Sequence, residues 1–156
     1  MDNYCHFQIQ DLNSGSDLLT SPRGIRKATG CYHPEGYTYL AATSDQTVRR
    51  YEIPSGREID GRMPHPSNIE QTTYTPDAQL IVTTDMMEDV RLWHTATAKR
   101  VGPTLRGARV RISPDNKAFV THNGESIQLY DMPTPRTGDI DEVIRWVEET
   151  TGQKVN

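Results

Sequence analysis

The chain has 156 residues, with 17 basic and 21 acidic side chains giving a formal net charge of −4, 34% hydrophobic residues, 11 Gly and 10 Pro. That balance supplies no positive field to hold nucleic acid or an anionic membrane surface, and no apolar run approaches the roughly 18 residues of a membrane span. A soluble, turn-rich, all-β chain of many short strands fits the composition.

Residues Met1 to Gln10 are polar and lack an apolar run of signal-peptide length, so the expected location is cytoplasmic. Phe7-Gln8-Ile9-Gln10-Asp11-Leu12-Asn13-Ser14-Gly15 lines up with Val48-Arg49-Arg50-Tyr51-Glu52-Ile53-Pro54-Ser55-Gly56, so the chain is expected to begin inside a repeating unit. Cys5 and Cys31 are the only cysteines, too few for a disulfide framework and without C-x-x-C spacing. Two buried free thiols fit them better than a bridge, since free Cys behaves as a small hydrophobe.

Three turns then recur: His33-Pro34-Glu35-Gly36, Thr75-Pro76-Asp77-Ala78 and Ser113-Pro114-Asp115-Asn116, with their prolines 42 and 38 residues apart. Proline presets φ at the second turn position, while Asp, Asn and Gly tolerate the conformations that complete the reversal. A strand-like run follows each turn: Tyr37–Thr43, Leu80–Thr84 and Ala118–Thr121. After a second polar turn, alternating residues lead to an aromatic at Tyr51, Trp93 and Tyr130, spaced by 42 and 37 residues. Two landmarks thus keep one period. Period two puts Val48 and Arg50 on one face of their strand, with Arg49 and Tyr51 on the other.

These units resemble the WD-repeat family, whose repeats have about 40 to 45 residues and four strands per propeller blade. The best match is Thr43-Ser44-Asp45-Gln46-Thr47-Val48-Arg49-Arg50-Tyr51-Glu52, similar to the family's strand b, b–c turn and strand c, with Tyr51-Glu52 where Trp-Asp is usual. The resemblance implies an all-β, partial β-propeller of about three four-stranded blades. It also implies a hydrogen-bonded set within each blade, made by a d–a His, a strand b Ser or Thr, a b–c turn Asp and the strand c Trp. Carried over, the first full repeat contributes Thr43, Asp45 and Tyr51, and the second His65 and Trp93. The second b–c turn reads as longer, so neither Asp85 nor Asp89 aligns with Asp45. The third repeat has Gly107-Ala108 where the family has Gly-His, and Asn123-Gly124-Glu125 in its turn.

The expected division is blades over 1–131, with a partial unit at 1–27 and repeats near 28–65, 66–106 and 107–131, followed by a Pro-rich link and helix over 132–156. Ile140, Val143, Ile144 and Val147 form one apolar helical stripe, with Asp139 and Glu142 at capping-box spacing and Gly152 placed as a stop. This tail resembles the end of WD-repeat regions in planctomycete-type bacterial proteins, many of which carry a serine/threonine kinase domain ahead of the blades. No catalytic-loop His-Arg-Asp or Asp-Phe-Gly is present in this chain.

Chemical motifs are weak throughout. The five His show no H-x-x-x-H spacing, so no metal is expected, and Gly102–Gly107 lacks the Lys of a phosphate loop and reads as a strand d to strand a connection. No G-x-S-x-G elbow is present. The expected function is therefore a non-catalytic protein-interaction scaffold without a cofactor, binding a protein partner through loops, either as part of a larger protein or as a homo-oligomer that completes a propeller. The alternatives are the C-terminal regulatory part of a bacterial serine/threonine kinase, or a ligand binder or small enzyme formed by blade assembly. Candidate partner contacts are Met86, Met87 and Glu88, because Met adapts to partner surfaces, together with Arg106 and Arg109.

Overall fold

Alternating apolar and polar residues between tight turns produce antiparallel hairpins throughout the computed structural model, which describes residues 8–10, 13–20 and 29–133. A first hairpin joins β1 (Gln8–Gln10) to β2 (Asp17–Thr20). The first blade is the four-stranded sheet β3 (Gly30–Tyr32), β4 (Thr38–Ala42), β5 (Thr47–Glu52) and β6 (Glu58–Pro64). The second is β7 (Ile69–Tyr74), β8 (Leu80–Asp85), β9 (Asp89–His94) and β10 (Arg100–Arg106). A third sheet has three strands, β11 (Arg109–Ile112), β12 (Ala118–His122) and β13 (Ile127–Asp131). Strands pair in sequence order within each sheet, so the described residues form an all-β run of partial WD-type blades.

The a–b turns fall at the three proline signatures, and their backbones close in the same way. His33, Thr75 and Ser113 each accept the N–H three residues on, from Gly36, Ala78 and Asn116. Each of those three donors has positive φ, natural for Gly36 and less common for Ala78 and Asn116. The Gly102–Arg106 segment is not a connection, as its sequence suggested, but lies within β10 as strand d; Gly107 alone of that motif lies in the turn to β11.

Period two leaves both faces of the second blade's central strands apolar, and the first and third blades cover one face each. Leu40, Ala42, Val48 and Met63 of the first blade pack with Ile69, Tyr74, Ile81, Trp93 and Ala98 of the second. On the opposite face of the second blade, Leu80, Val82, Val90 and Leu92 meet Val110, Phe119 and Met132. Tyr39, Ala41 and Tyr51 form a smaller cluster on the other face of the first blade. The helix expected over 139–152 lies outside the described residues, as do Cys5 and most of the first partial unit. No described helix is long and apolar enough to cross a membrane.

Ile81 is fully buried at the junction of the first two blades, so its truncation removes contacts that neither sheet can replace. Ile81→Ala is expected to cost about 2–5 kcal/mol of unfolding free energy in chemical denaturation, whereas truncating exposed Ile127 leaves stability within about 0.5 kcal/mol.

Candidate protein-binding rim

The b–c turns and d–a connections gather at one end of the blades. Strand pairing fixes which residues correspond: Leu40 faces Arg50 as Val82 faces Leu92, and Tyr39 faces Tyr51 as Ile81 faces Trp93. The equivalent of Thr83 in the first blade is therefore Ala41, and the equivalent of Asp85 is Thr43. Counting ten residues back from Trp93 and from Tyr51 finds the same pair directly in the sequence.

This register corrects the expected hydrogen-bond set. In the second blade Thr83 is its centre: the Trp93 indole N–H donates to Thr83 Oγ1 at 2.9 Å, and His65 Nε2 lies 2.7 Å from the same oxygen. His65 Nδ1 faces the Met63 carbonyl at 2.9 Å, and the imidazole is tilted against Trp93 with ring centroids 5.4 Å apart. In the first blade Ala41 has no hydroxyl, so Tyr51 has no equivalent acceptor and its buried hydroxyl has no hydrogen-bond partner. Thr43 instead closes the turn, donating to the Thr47 carbonyl at 2.7 Å and to Asp45. The five expected residues thus divide between two arrangements in two blades. In the third, Thr121 packs onto Gly107, where an added Cβ would meet Thr121 Cβ at 2.5 Å. Backbone contact there replaces the His65 ring.

The second b–c turn is not longer than the first, because Thr43–Thr47 and Asp85–Asp89 have the same length. Gln46 and Glu88 occupy the same place, with φ of 61° and 60°, and donate their N–H groups to the Thr43 and Asp85 carbonyls. What differs is the clamp. In the first turn, Arg49 reaches Asp45 and, at 3.1 Å, Glu58. Burial alone pushes the Asp45 carboxyl up, but donation from Thr43 and Arg49 and the Arg49 charge outweigh it and hold the group below its ordinary value. In the second turn, Asp85 is fully buried and pairs with Arg91 at 2.6 Å, while it accepts the N–H groups of Met87 and Asp89 at 3.0 and 3.2 Å. Arg91 also pairs with Asp89 at 2.8 Å, and Arg106 joins Asp89 at 2.7 Å and donates to the Met87 carbonyl at 3.0 Å.

This alternating network braces the Met86-Met87-Glu88 tip while both Met residues stay largely exposed, at 60% and 57%, with the Met86 sulfur accepting from the Asn68 amide at 3.7 Å. Arg106 belongs to the same cluster; Arg109 is exposed at the start of β11 and takes no part in the network. The chemistry on offer is apolar, polarizable contact beside a fixed guanidinium. Among the described residues no group of His, Cys, Asp and Glu is arranged to hold a metal ion.

Comparison with known proteins follows the same lines. No family model matches the chain. It is 27% identical over 114 residues to transcription initiation factor TFIID subunit 5 of Caenorhabditis elegans and 29% identical over 113 residues to cilia- and flagella-associated protein 52 of Sus scrofa. Each match takes in 67% of this chain, which spans 17% and 18% of those relatives' lengths. Both are WD-repeat proteins, and their similarity supports a WD-repeat reading of these blades.

Burial, followed by the nearby Arg91 charge, lowers the His65 pKa from 6.5 to about 4. The folded chain therefore keeps the ring neutral while the unfolded chain takes up a proton near 6.5, so stability present above 6.5 is lost as pH falls from 6.5 through 4. The loss from this group is expected to total about 3 kcal/mol, and His65→Gln should remove that part of the slope in urea melts at pH 7.5 and pH 4.5.

Proposed function

We propose that the chain is a non-catalytic protein-interaction scaffold whose second b–c turn is its contact surface, with Met86, Met87 and Glu88 at the tip and Arg106 and Arg109 beside it. The observation that carries this reading is a pair of solvent-facing Met side chains on a turn fixed by the Asp85–Arg91–Asp89–Arg106 network. A preorganised turn loses little conformational entropy when a partner covers it, and Met adapts its shape to the surface it meets. The WD-repeat relatives favour the same class of function, since such proteins are typically scaffolds. The tail's resemblance to planctomycete-type proteins favours a bacterial protein in which these blades follow a further domain.

A second reading concerns self-association, and it rests on a different observation. Among the described residues no strand pairs with the outer side of β13, whose Ile127 and Leu129 are 76% and 71% exposed. A four-stranded blade would place a strand d there, and an open apolar edge favours pairing with another chain. A second copy that supplies this strand would extend the blades toward a ring.

Two measurements test these readings. Substitution of both Met86 and Met87 by Lys is expected to weaken capture of a protein partner about tenfold or more while leaving the melting temperature within about 3 °C; unchanged capture would count against the turn as the contact surface. Light scattering is expected to find an oligomer that Leu129→Lys converts to monomer, and a stable monomeric wild type would remove the self-association reading.

A further inference from the structure

At the opposite end of the blades, the a–b turns of the first two blades and the c–d turn of the second line a cleft of about 600 Å³. Its lining includes Arg50, a residue that the scaffold reading leaves without a role. Arg50 occupies the strand position that Leu92 fills in the second blade, so a guanidinium stands where an apolar side chain would complete the junction. It is only 7% exposed.

The bonds of Arg50 leave its charge uncompensated. It donates to the backbone carbonyls of Thr95 and, at 3.0 Å, Asp60. Among the described residues no carboxylate lies within ion-pair distance of it, and its buried Nε has no hydrogen-bond partner. The buried Thr95 hydroxyl, which belongs to the same cleft lining, is also without a partner. By contrast, Arg91 on the other face of the equivalent strand is matched by two carboxylates. A buried cation satisfied only by carbonyl dipoles is costly, and an incoming anion recovers part of that cost.

The rest of the lining narrows the kind of anion. Tyr37, half exposed, packs at a tilt against His33 with ring centroids 4.2 Å apart, and Pro34, Pro76 and Ile59 add apolar wall. Glu35 and Asp77 are exposed at the same cleft and repel a densely acidic ligand. We propose that this cleft receives a single carboxylate borne by an apolar peptide segment of a partner protein, with the Arg50 guanidinium as its counter-charge and Tyr37 packing against the flanking residues. The site is independent of the Met86–Met87 turn, and its test needs no knowledge of what binds there.

The probe is a blocked tripeptide with glutamate between two phenylalanines, titrated into the full chain while the Arg50 Nε–H signal is followed by NMR. The peptide is expected to move that signal in a saturable manner, and the version with glutamine in place of glutamate should bind about tenfold or more weakly, as loss of a charge-assisted bond requires. Arg50→Leu, which restores the residue type found at 92, is expected to abolish binding measured by calorimetry. Tyr37→Ala, at an exposed position, should weaken it without altering the fold. Equal affinity for the glutamate and glutamine peptides would overturn the proposal, as would full binding by a folded Arg50→Leu chain. Acetate or inorganic phosphate binding as tightly as the peptide would overturn the peptide origin of the anion.

Discussion

Burial of blade faces against neighbouring blades, on both sides in the case of the second, is the constraint on which the rest of this structure depends. A single antiparallel sheet of this size cannot keep water from its apolar face by itself and must bury it against another element. Leu40, Val48 and Met63 have nothing in their own sheet to cover them; they are excluded from water because Ile69, Ile81 and Trp93 lie opposite. The second junction repeats the solution with other residues, Val82, Val90 and Leu92 against Val110 and Phe119. Stability in such a stack is carried at the junctions, and turns between strands are free to differ.

Polar groups placed inside those junctions divide into two kinds. Thr83 joins His65 and Trp93 so that strand b, strand c and the d–a connection of one blade are bonded at one atom. All partners are supplied within the blade, so the arrangement fixes geometry without exposing a donor. Arg50 is the opposite case. Its position in the strand commits it to the junction, yet only carbonyls meet it and part of the guanidinium remains unbonded. Gly61 allows the c–d turn of the second blade to close over this region, since a Cβ there would meet Ala98 Cβ at 2.7 Å. The neighbouring backbone can approach closely enough to bond Arg50, but it brings no negative charge.

The two ends of the blades consequently differ in chemistry. At the b–c end, carboxylates and guanidiniums are paired into a rigid base under exposed thioethers. At the a–b end, a cation lies unmatched beneath an aromatic wall. One end presents shape and apolar surface; the other presents a charge in a recess. Rigid strands hold both in place, which lets short turns carry recognition without the disorder of long loops.

The sequence by itself determined the repeat, because proline turns and terminal aromatics are local signals that do not depend on what packs against them. It located the three a–b turns, the strands that follow and the exposed tip at Met86-Met87, each set by turn chemistry or period-two patterning. It misplaced the strand b hydroxyl at Thr43 and lengthened the second b–c turn, since residue types in a turn were matched without the strand pairing that sets register. Asp85 also escaped, because a buried carboxylate is recognisable only once Arg91 is seen beside it. Tertiary structure alone decided that Arg50 faces a junction and not water: alternation tells which residues share a face, but whether another sheet covers that face is settled by the stacking of distant segments.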